Sequence, residues 1–236
     1  MKLTTFAIVG LAMTGTSAMA AEITGGSIKL EYSAFTDETD FSRVGIEGSL
    51  EVAFNRNFSV QADLGYQSFN ETDLDSNVYG LHGIYHLDDD TSFGIYYTKD
   101  DTDLGDLDIV GVEVGHEMSN IEIEAYLAYG DADVADGALF GISGRYEFEN
   151  TVGITGSFDR FDEGSIDANV LTVAVDYDVT PNVNLFLKAG GGEIGIDGLG
   201  STDFEGFVGV GAKIAFGNKR GATFEQRSLT KFIPGL

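Results

Sequence analysis

Residues 43–67 read RVGIEGSLEVAFNRNFSVQADLGYQ, and this stretch decides the fold. Its first half places Val44, Ile46, Gly48, Leu50, Val52 and Phe54 at even positions. Arg43, Gly45, Glu47, Ser49, Glu51 and Ala53 fall between them. After Asn55-Arg56-Asn57 the alternation resumes, with Phe58, Val60, Ala62, Leu64 and Tyr66 against Ser59, Gln61, Asp63, Gly65 and Gln67. A period of two marks a strand with one apolar face, and the tight Asn-containing connection makes a hairpin of the pair. On a helix Val44 and Ile46 would stand about 200° apart, so no single apolar face would form.

The same rhythm continues on both sides. Outward-phase markers are Tyr79, Leu81, Tyr85 and Leu87, then Phe93, Ile95 and Tyr97, then Val110, Val112 and Val114. Ile121, Ile123, Leu127 and Tyr129 follow, then Phe140, Ile142, Tyr146 and Phe148, then Val152, Ile154 and Phe158. Leu171, Val173, Val175 and Tyr177, then Val183, Leu185 and Leu187, then Val208, Val210, Ile214 and Phe216 complete the series. A first strand from Ile28 to about Ala34 is the weakest, because Phe35 falls in the wrong phase. The reading is twelve strands between Ser27 and Phe216, all-β, an antiparallel up-and-down transmembrane barrel. A closed barrel suits a bilayer because every backbone N–H and C=O is paired within the protein while lipid meets apolar side chains.

Connections fall into two classes. Short turns are expected near 55–57, 88–90, 118–120, 149–151 and 179–182. Longer ones are expected near 36–42, 70–76, 100–106, 131–137, 161–167 and 193–203, and these carry 19 Asp or Glu with no Lys or Arg. Outer-membrane barrels keep short turns in the periplasm, so an even strand number puts both mature termini there. Phe54, Phe58, Phe93, Tyr146, Phe148, Tyr177 and Phe216 gather at the short-turn ends, the composition of an interfacial girdle.

The first twenty residues stand apart. Lys2 gives a positive start, Phe6 to Met13 is uncharged and apolar, and Ala18-Met19-Ala20 is a small-residue cleavage site. Residues 1–20 are therefore expected to be a signal peptide. A membrane-spanning helix needs about 20 apolar residues, more than this run supplies. The chain has no Cys, which excludes disulfides and thiolate metal sites, and a net charge of −26, which repels nucleic acid. Gly is abundant at 32 and Pro rare at 2, as paired, curving strands require.

The span 27–216 resembles the Gram-negative outer-membrane β-barrel proteins of porin type. Gly209-Val210-Gly211-Ala212-Lys213-Ile214-Ala215-Phe216 carries the resemblance. It has a small start, Gly211 in third place, Ile214 two before the end and an aromatic, Phe216, at the end. The resemblance implies that Gly211, Ile214 and Phe216 form the insertion signal read by the barrel-assembly machinery. It implies outer-membrane lipid and lipopolysaccharide as surroundings, and a homo-oligomer is left open. This family usually ends on that aromatic, whereas residues 217–236 follow it in this chain. The division is then 1–20 signal peptide, 21–216 barrel and 217–236 a basic periplasmic tail, in which Lys219, Arg220, Arg227 and Lys231 face the single acid Glu225. The tail is expected to be disordered; the alternative is that it plugs the mouth by docking on acidic wall residues.

The inward phase is the candidate functional surface. Its acids are Glu31, Glu47, Glu51, Asp63, Glu113, Glu117, Glu122, Glu124, Glu147, Asp159 and Glu205. Its bases are Lys29, Arg43, Arg145, Lys188 and Lys213, and many remaining positions are Gly, which leaves open volume. His82 and His86 share this phase, and His116 is assigned to it on the sixth strand. A hydrolase would need a Ser or Asp beside such a His, with Ser76, Ser92 and Asp88 the candidates by proximity. Asp73-Leu74-Asp75-Ser76-Asn77 begins like a calcium loop but lacks the following Gly and closing Glu, so the acidic loops suit only weak divalent-cation binding. Gly190 to Gly195 contains G-x-G-x-x-G, yet no helix follows to aim N–H groups at a phosphate.

Twelve strands lie between the filled eight-stranded barrel and the wide sixteen-stranded pore. A narrow channel for passive diffusion of small hydrophilic solutes or cations is expected, with no reaction and no cofactor. One rival is a structural or interaction barrel, closed inside by ion pairs and acting through its acidic loops. The other is a barrel hydrolase.

Overall fold

The computed structural model describes residues 21–70, 74–103, 105–132, 136–149, 151–196, 200–201, 204–217 and 221–232. The expected signal peptide and Asp73 lie outside them. The strands are β1 (Glu22–Phe35), β2 (Ser42–Ala53), β3 (Phe58–Phe69), β4 (Asp75–His86), β5 (Thr91–Thr102) and β6 (Gly105–Met118). They continue as β7 (Ile121–Ala132), β8 (Gly137–Glu147), β9 (Val152–Asp162), β10 (Ile166–Thr180) and β11 (Val183–Ile196). A two-residue strand β12 (Gly200–Ser201) and the long β13 (Glu205–Phe216) complete the sheet. Each long strand pairs antiparallel with its neighbour in sequence, and β13 pairs with both β11 and β1. The twelve long strands thus close into a barrel with no free edge. Among the described residues no helix is long and apolar enough to cross a membrane, and a barrel needs none.

Alternation fixes the two faces. In β2, Val44, Ile46 and Leu50 are exposed on the outside while Glu51 on the opposite face is fully buried. Val110, Leu127, Leu171, Leu187 and Val210 continue the outer apolar band around the wall. At the short-turn end Phe58 packs on Tyr85 at 5.1 Å and Tyr146 on Phe148 at 4.8 Å, all on the outer surface. The turn after β4 is fixed by Asp88, whose carboxylate accepts from the amides of Asp90 (3.1 Å) and Thr91 (2.7 Å). Those bonds hold the Asp88 carboxyl below its ordinary pKa.

Three sequence readings are corrected. The first strand starts at Glu22, and Phe35 is out of phase because it points inward and packs against an interior apolar cluster. Two of the six expected long connections are short: β5 and β6 are separated by residues 103–104, and β9 and β10 by residues 163–165, where Gly164 takes φ 81°. The interior is also less uniformly polar than expected. Tyr96, Leu107, Ile109, Tyr126, Leu139, Val170 and Phe207 form a buried cluster inside the wall.

Candidate functional site

The lumen is occupied by the chain's own C-terminal segment. Gly217 (φ 87°) turns the backbone beyond the end of β13, and residues 221–232 lie inside the barrel, ending in a 3₁₀ turn, Leu229–Phe232. The expectation of disorder is corrected for these residues: Phe224, Gln226, Arg227, Ser228, Thr230 and Phe232 are all buried. The missing signal was spatial. Parity tells which face a wall residue is on, but not that twelve residues after the last strand fit between those faces.

The contacts follow the segment from the short-turn end towards the other. Thr223 donates to Glu51 from its amide (2.8 Å) and its hydroxyl (2.7 Å). Gln61 donates to the Phe224 carbonyl at 2.8 Å. Arg227 places Nε 3.0 Å from Glu113 and Nη2 2.6 Å from Glu124, with its guanidinium 4.6 Å from the Tyr126 ring centroid. Asp100 accepts from the Ser228 hydroxyl (2.9 Å) and the Leu229 amide (2.7 Å). Arg43 donates to the Thr230 carbonyl at 2.7 Å, and Phe232 meets Phe161 at 6.2 Å between centroids.

Several inward glycines hold space for this segment rather than for an open pore. A side chain at Gly94 would strike Phe224 and Glu113; one at Gly115 would press on Phe224, and one at Gly65 would strike Gln226. Others make room for wall aromatics, as Gly111 does beneath Tyr96. A polar recess of about 120 Å³ remains between the segment and the wall, bordered by Lys29, Glu47, Glu122, Glu124, Lys213 and Glu225.

The sequence-assigned residues occupy three groups. Near the centre His82 lies 2.8 Å from Asp63 and 2.6 Å from Glu113, and its ring stacks between Tyr96 (5.5 Å) and Phe224 (6.4 Å). At the short-turn end Arg145 meets Glu122 (3.3 Å), Glu147 (2.9 Å) and Asp176 (2.8 Å). On the wall Lys188 (2.6 Å) and Arg43 (2.8 Å) converge on Glu31, while Glu47 pairs with Lys29 at 2.7 Å. Glu51 and Glu124 are tail ligands. Of the β13 residues, Gly211 lies inside against Phe186, whereas Ile214 and Phe216 face outward and Phe216 covers Gly26.

His116 is a correction. It shares the parity of Val110 and Val112, so it stands exposed, 3.1 Å from Thr91 Oγ1. His86 does reach serines, with Nδ1 2.8 Å from Ser92 and Nε2 2.9 Å from Ser59. Glu51 comes only to 3.5 Å of that ring, and it accepts from Thr24 and Thr223. Among the described residues Ser76 and Asp88 form no such pair with a histidine: Asp88 caps its turn, and Ser76 lies opposite Gln67 and Thr102. The Gly190–Gly195 run lies within β11, in a strand. Among the described residues no group of three or more His, Cys, Asp or Glu could hold a metal ion.

A closed twelve-stranded barrel with an apolar outer band and a polar, acid-rich inner wall defines an outer-membrane protein of porin type. The chain belongs to the Gram-negative porin family, whose model matches residues 17–195. That match ends before β13 and the lumenal segment. Among solved structures the KdgM porin is similar, with a TM-score of 0.63 at 10% identity over 80% of this chain and 99% of that one. The NanC porin follows at 0.62 and 8% identity, over 79% of this chain and 98% of that one. An outer-membrane channel from Pseudomonas putida F1 gives 0.57 at 9% identity, over 84% and 97%. No curated protein matches the sequence. Family and fold point to a channel rather than an enzyme.

Proposed function

We propose that this protein is a narrow diffusion channel for small hydrophilic solutes, selective for cations, and that its C-terminal segment closes it in the conformation described above. The supporting observation is the wall beneath that segment. Gln67 Oε1, Ser76 Oγ, Thr98 Oγ1 and Asp100 Oδ1 are buried there with no hydrogen-bond partner among the described residues. Each unpaired buried polar group costs about 1–3 kcal/mol. A wall of this kind is matched to water and hydrated solutes, which a withdrawn segment would admit. The short turns and both mature termini then belong to the periplasmic side, from which the segment enters.

Charge argues for the solute class. The KdgM porin has been captured with oligogalacturonate, an anionic ligand. Here the lumen presents Glu47, Glu51, Asp63, Glu113, Glu122, Glu124 and Glu147, so anions are disfavoured and cations enriched. A second reading keeps the barrel permanently closed as a structural or interaction protein. It draws on the cross-wall ion pairs and on Phe232, which joins the interior apolar cluster. Planar-bilayer recording of the full chain and of Gly94→Ala separates the two. The channel reading expects brief openings in the wild type and longer ones in the variant. Silence from both establishes the closed barrel instead.

A further inference from the structure

The seat of Arg227 is more completely built than a plug contact needs. Glu113 on β6 accepts from Nε and lies 2.9 Å from Nη2, Glu124 on β7 accepts from the same Nη2, and Tyr126 lies under the guanidinium face. Arg227 is only 4% exposed. Planar delocalised charge, several fixed N–H donors and a face that stacks on an aromatic ring belong to guanidinium and not to ammonium.

The wall itself holds two sides of this geometry. Glu113 is fixed from behind by His82 at 2.6 Å, and His82 is in turn 2.8 Å from Asp63. Tyr126 donates its hydroxyl to Asp159 at 2.7 Å. These are strand-to-strand contacts, so the Glu113 and Tyr126 sides of the seat are held by the wall, while Glu124 is met by the segment at Arg227 and at the Glu225 amide. Beside it the Tyr96 hydroxyl is buried, 3% exposed as a residue, with no hydrogen-bond partner among the described residues. Neither polar atom of the Gln226 amide, next to Arg227 in the chain, has one either. The Gln226 amide lies against Gly65 of β3, so the polar group left unused beside the guanidinium is the Tyr96 hydroxyl of the wall.

We infer that this seat is a binding site for guanidinium-bearing solutes, such as arginine and its amides or short Arg-containing peptides, and that they compete with Arg227 and release the segment. The inference deepens the channel reading by naming the solute class, and it rests on that reading only for what happens after release. A tethered occupant has an effective concentration on the order of millimolar and is held at several points, so a small competitor acts at tens of millimolar.

The test uses the full chain in detergent. The sequence has no cysteine, so Gln226→Cys gives one reporter at a position whose side chain makes no hydrogen bond among the described residues. Labelling by an impermeant maleimide is followed in L-arginine amide, L-lysine amide and glycinamide at equal ionic strength. Arginine amide is expected to speed labelling saturably by roughly threefold or more, lysine amide less and glycinamide not at all. Glu124→Gln in the same background should abolish the difference between arginine and lysine amides. Chymotryptic cleavage after the buried Phe224 of the unmodified chain reads the same release without the cysteine. Equal acceleration by all three amides reduces the effect to screening and overturns the inference, as does acceleration by none. Neither readout requires a current. A seat that responds while bilayers stay silent keeps this inference and removes the channel; a conducting chain indifferent to arginine amide does the reverse.

Discussion

Gly94 shows how much one missing methyl group decides. On the inner face of β5 it lies where any Cβ would strike Phe224 and Glu113. Gly94→Ala should leave the outer face of β5 untouched and push the segment out. Overpacking costs about 1–3 kcal/mol, and the lower part of that range already shifts the seated–released equilibrium by roughly tenfold. When release is fast relative to cleavage, proteolysis follows that population, so chymotrypsin should cut after Phe224 roughly tenfold faster. Unchanged cleavage would mean that the ring yields without leaving. Phe224→Ala should release the segment further, because it removes a side chain only 2% exposed and stacked on His82; as it also removes the chymotryptic site, faster maleimide labelling in the Gln226→Cys background is the measure. Parity alone placed Glu51, Asp63, His82 and Glu113 on the inner face, and it should have placed His116 outside. It carried no information on their partners. Glu51 meets Thr223 across 172 residues of sequence, and no local pattern encodes that pairing.

At the scale of the strand, β2 offers a test of depth. It runs Ser42–Ala53, with Ile46 nearer its middle and Leu50 nearer the short-turn end, both exposed on the outer face. Charge on a lipid face costs about 2–4 kcal/mol at the midplane and falls towards the interfaces. Ile46→Arg should therefore destabilise the folded barrel in bilayers by about that range, and Leu50→Arg by less; the reverse order in urea titrations would refute this placement of the wall. β13 closes the sheet through ten residue pairs with β1 and ten with β11. Phe216, at its end, covers Gly26 of the neighbouring strand. Phe216→Ala should slow membrane insertion, read as the folded, heat-modifiable fraction after refolding into lipid. Strand existence was legible because the alternation persists over whole spans. Strand ends were not: residues 100–106 and 161–167 are rich in Asp, Gly and Ser, which favour turns, yet most of them continue the ladders. Cross-strand pairing overrode local preference there.

For the whole molecule, the field of the lumen and the hold on the plug share carboxylates, so ion preference has to be tested at acids that do only one job. Glu51 and Asp63 are poor choices: Glu51 binds Thr223, and Asp63 supports His82 behind Phe224. Glu122 and Glu147 stand at the short-turn end, half-exposed around Arg145, which would still be paired with Asp176 after both are neutralised. Glu47 is paired with Lys29 and, among the described residues, makes no hydrogen bond to the segment. In the Gly94→Ala background the open channel should pass cations in preference to anions, because a low-dielectric wall focuses the field of its excess acids. The preference should weaken as salt rises, since the Debye length falls from ~10 Å at 0.1 M to ~3 Å at 1 M. Adding Glu47→Gln, Glu122→Gln and Glu147→Gln should then reduce cation preference while chymotryptic protection of Phe224 stays that of the parent. Reversal potentials across a salt gradient decide the matter. An anion-selective value, or one that the three amides leave unchanged, would show that permeating ions do not pass these carboxylates.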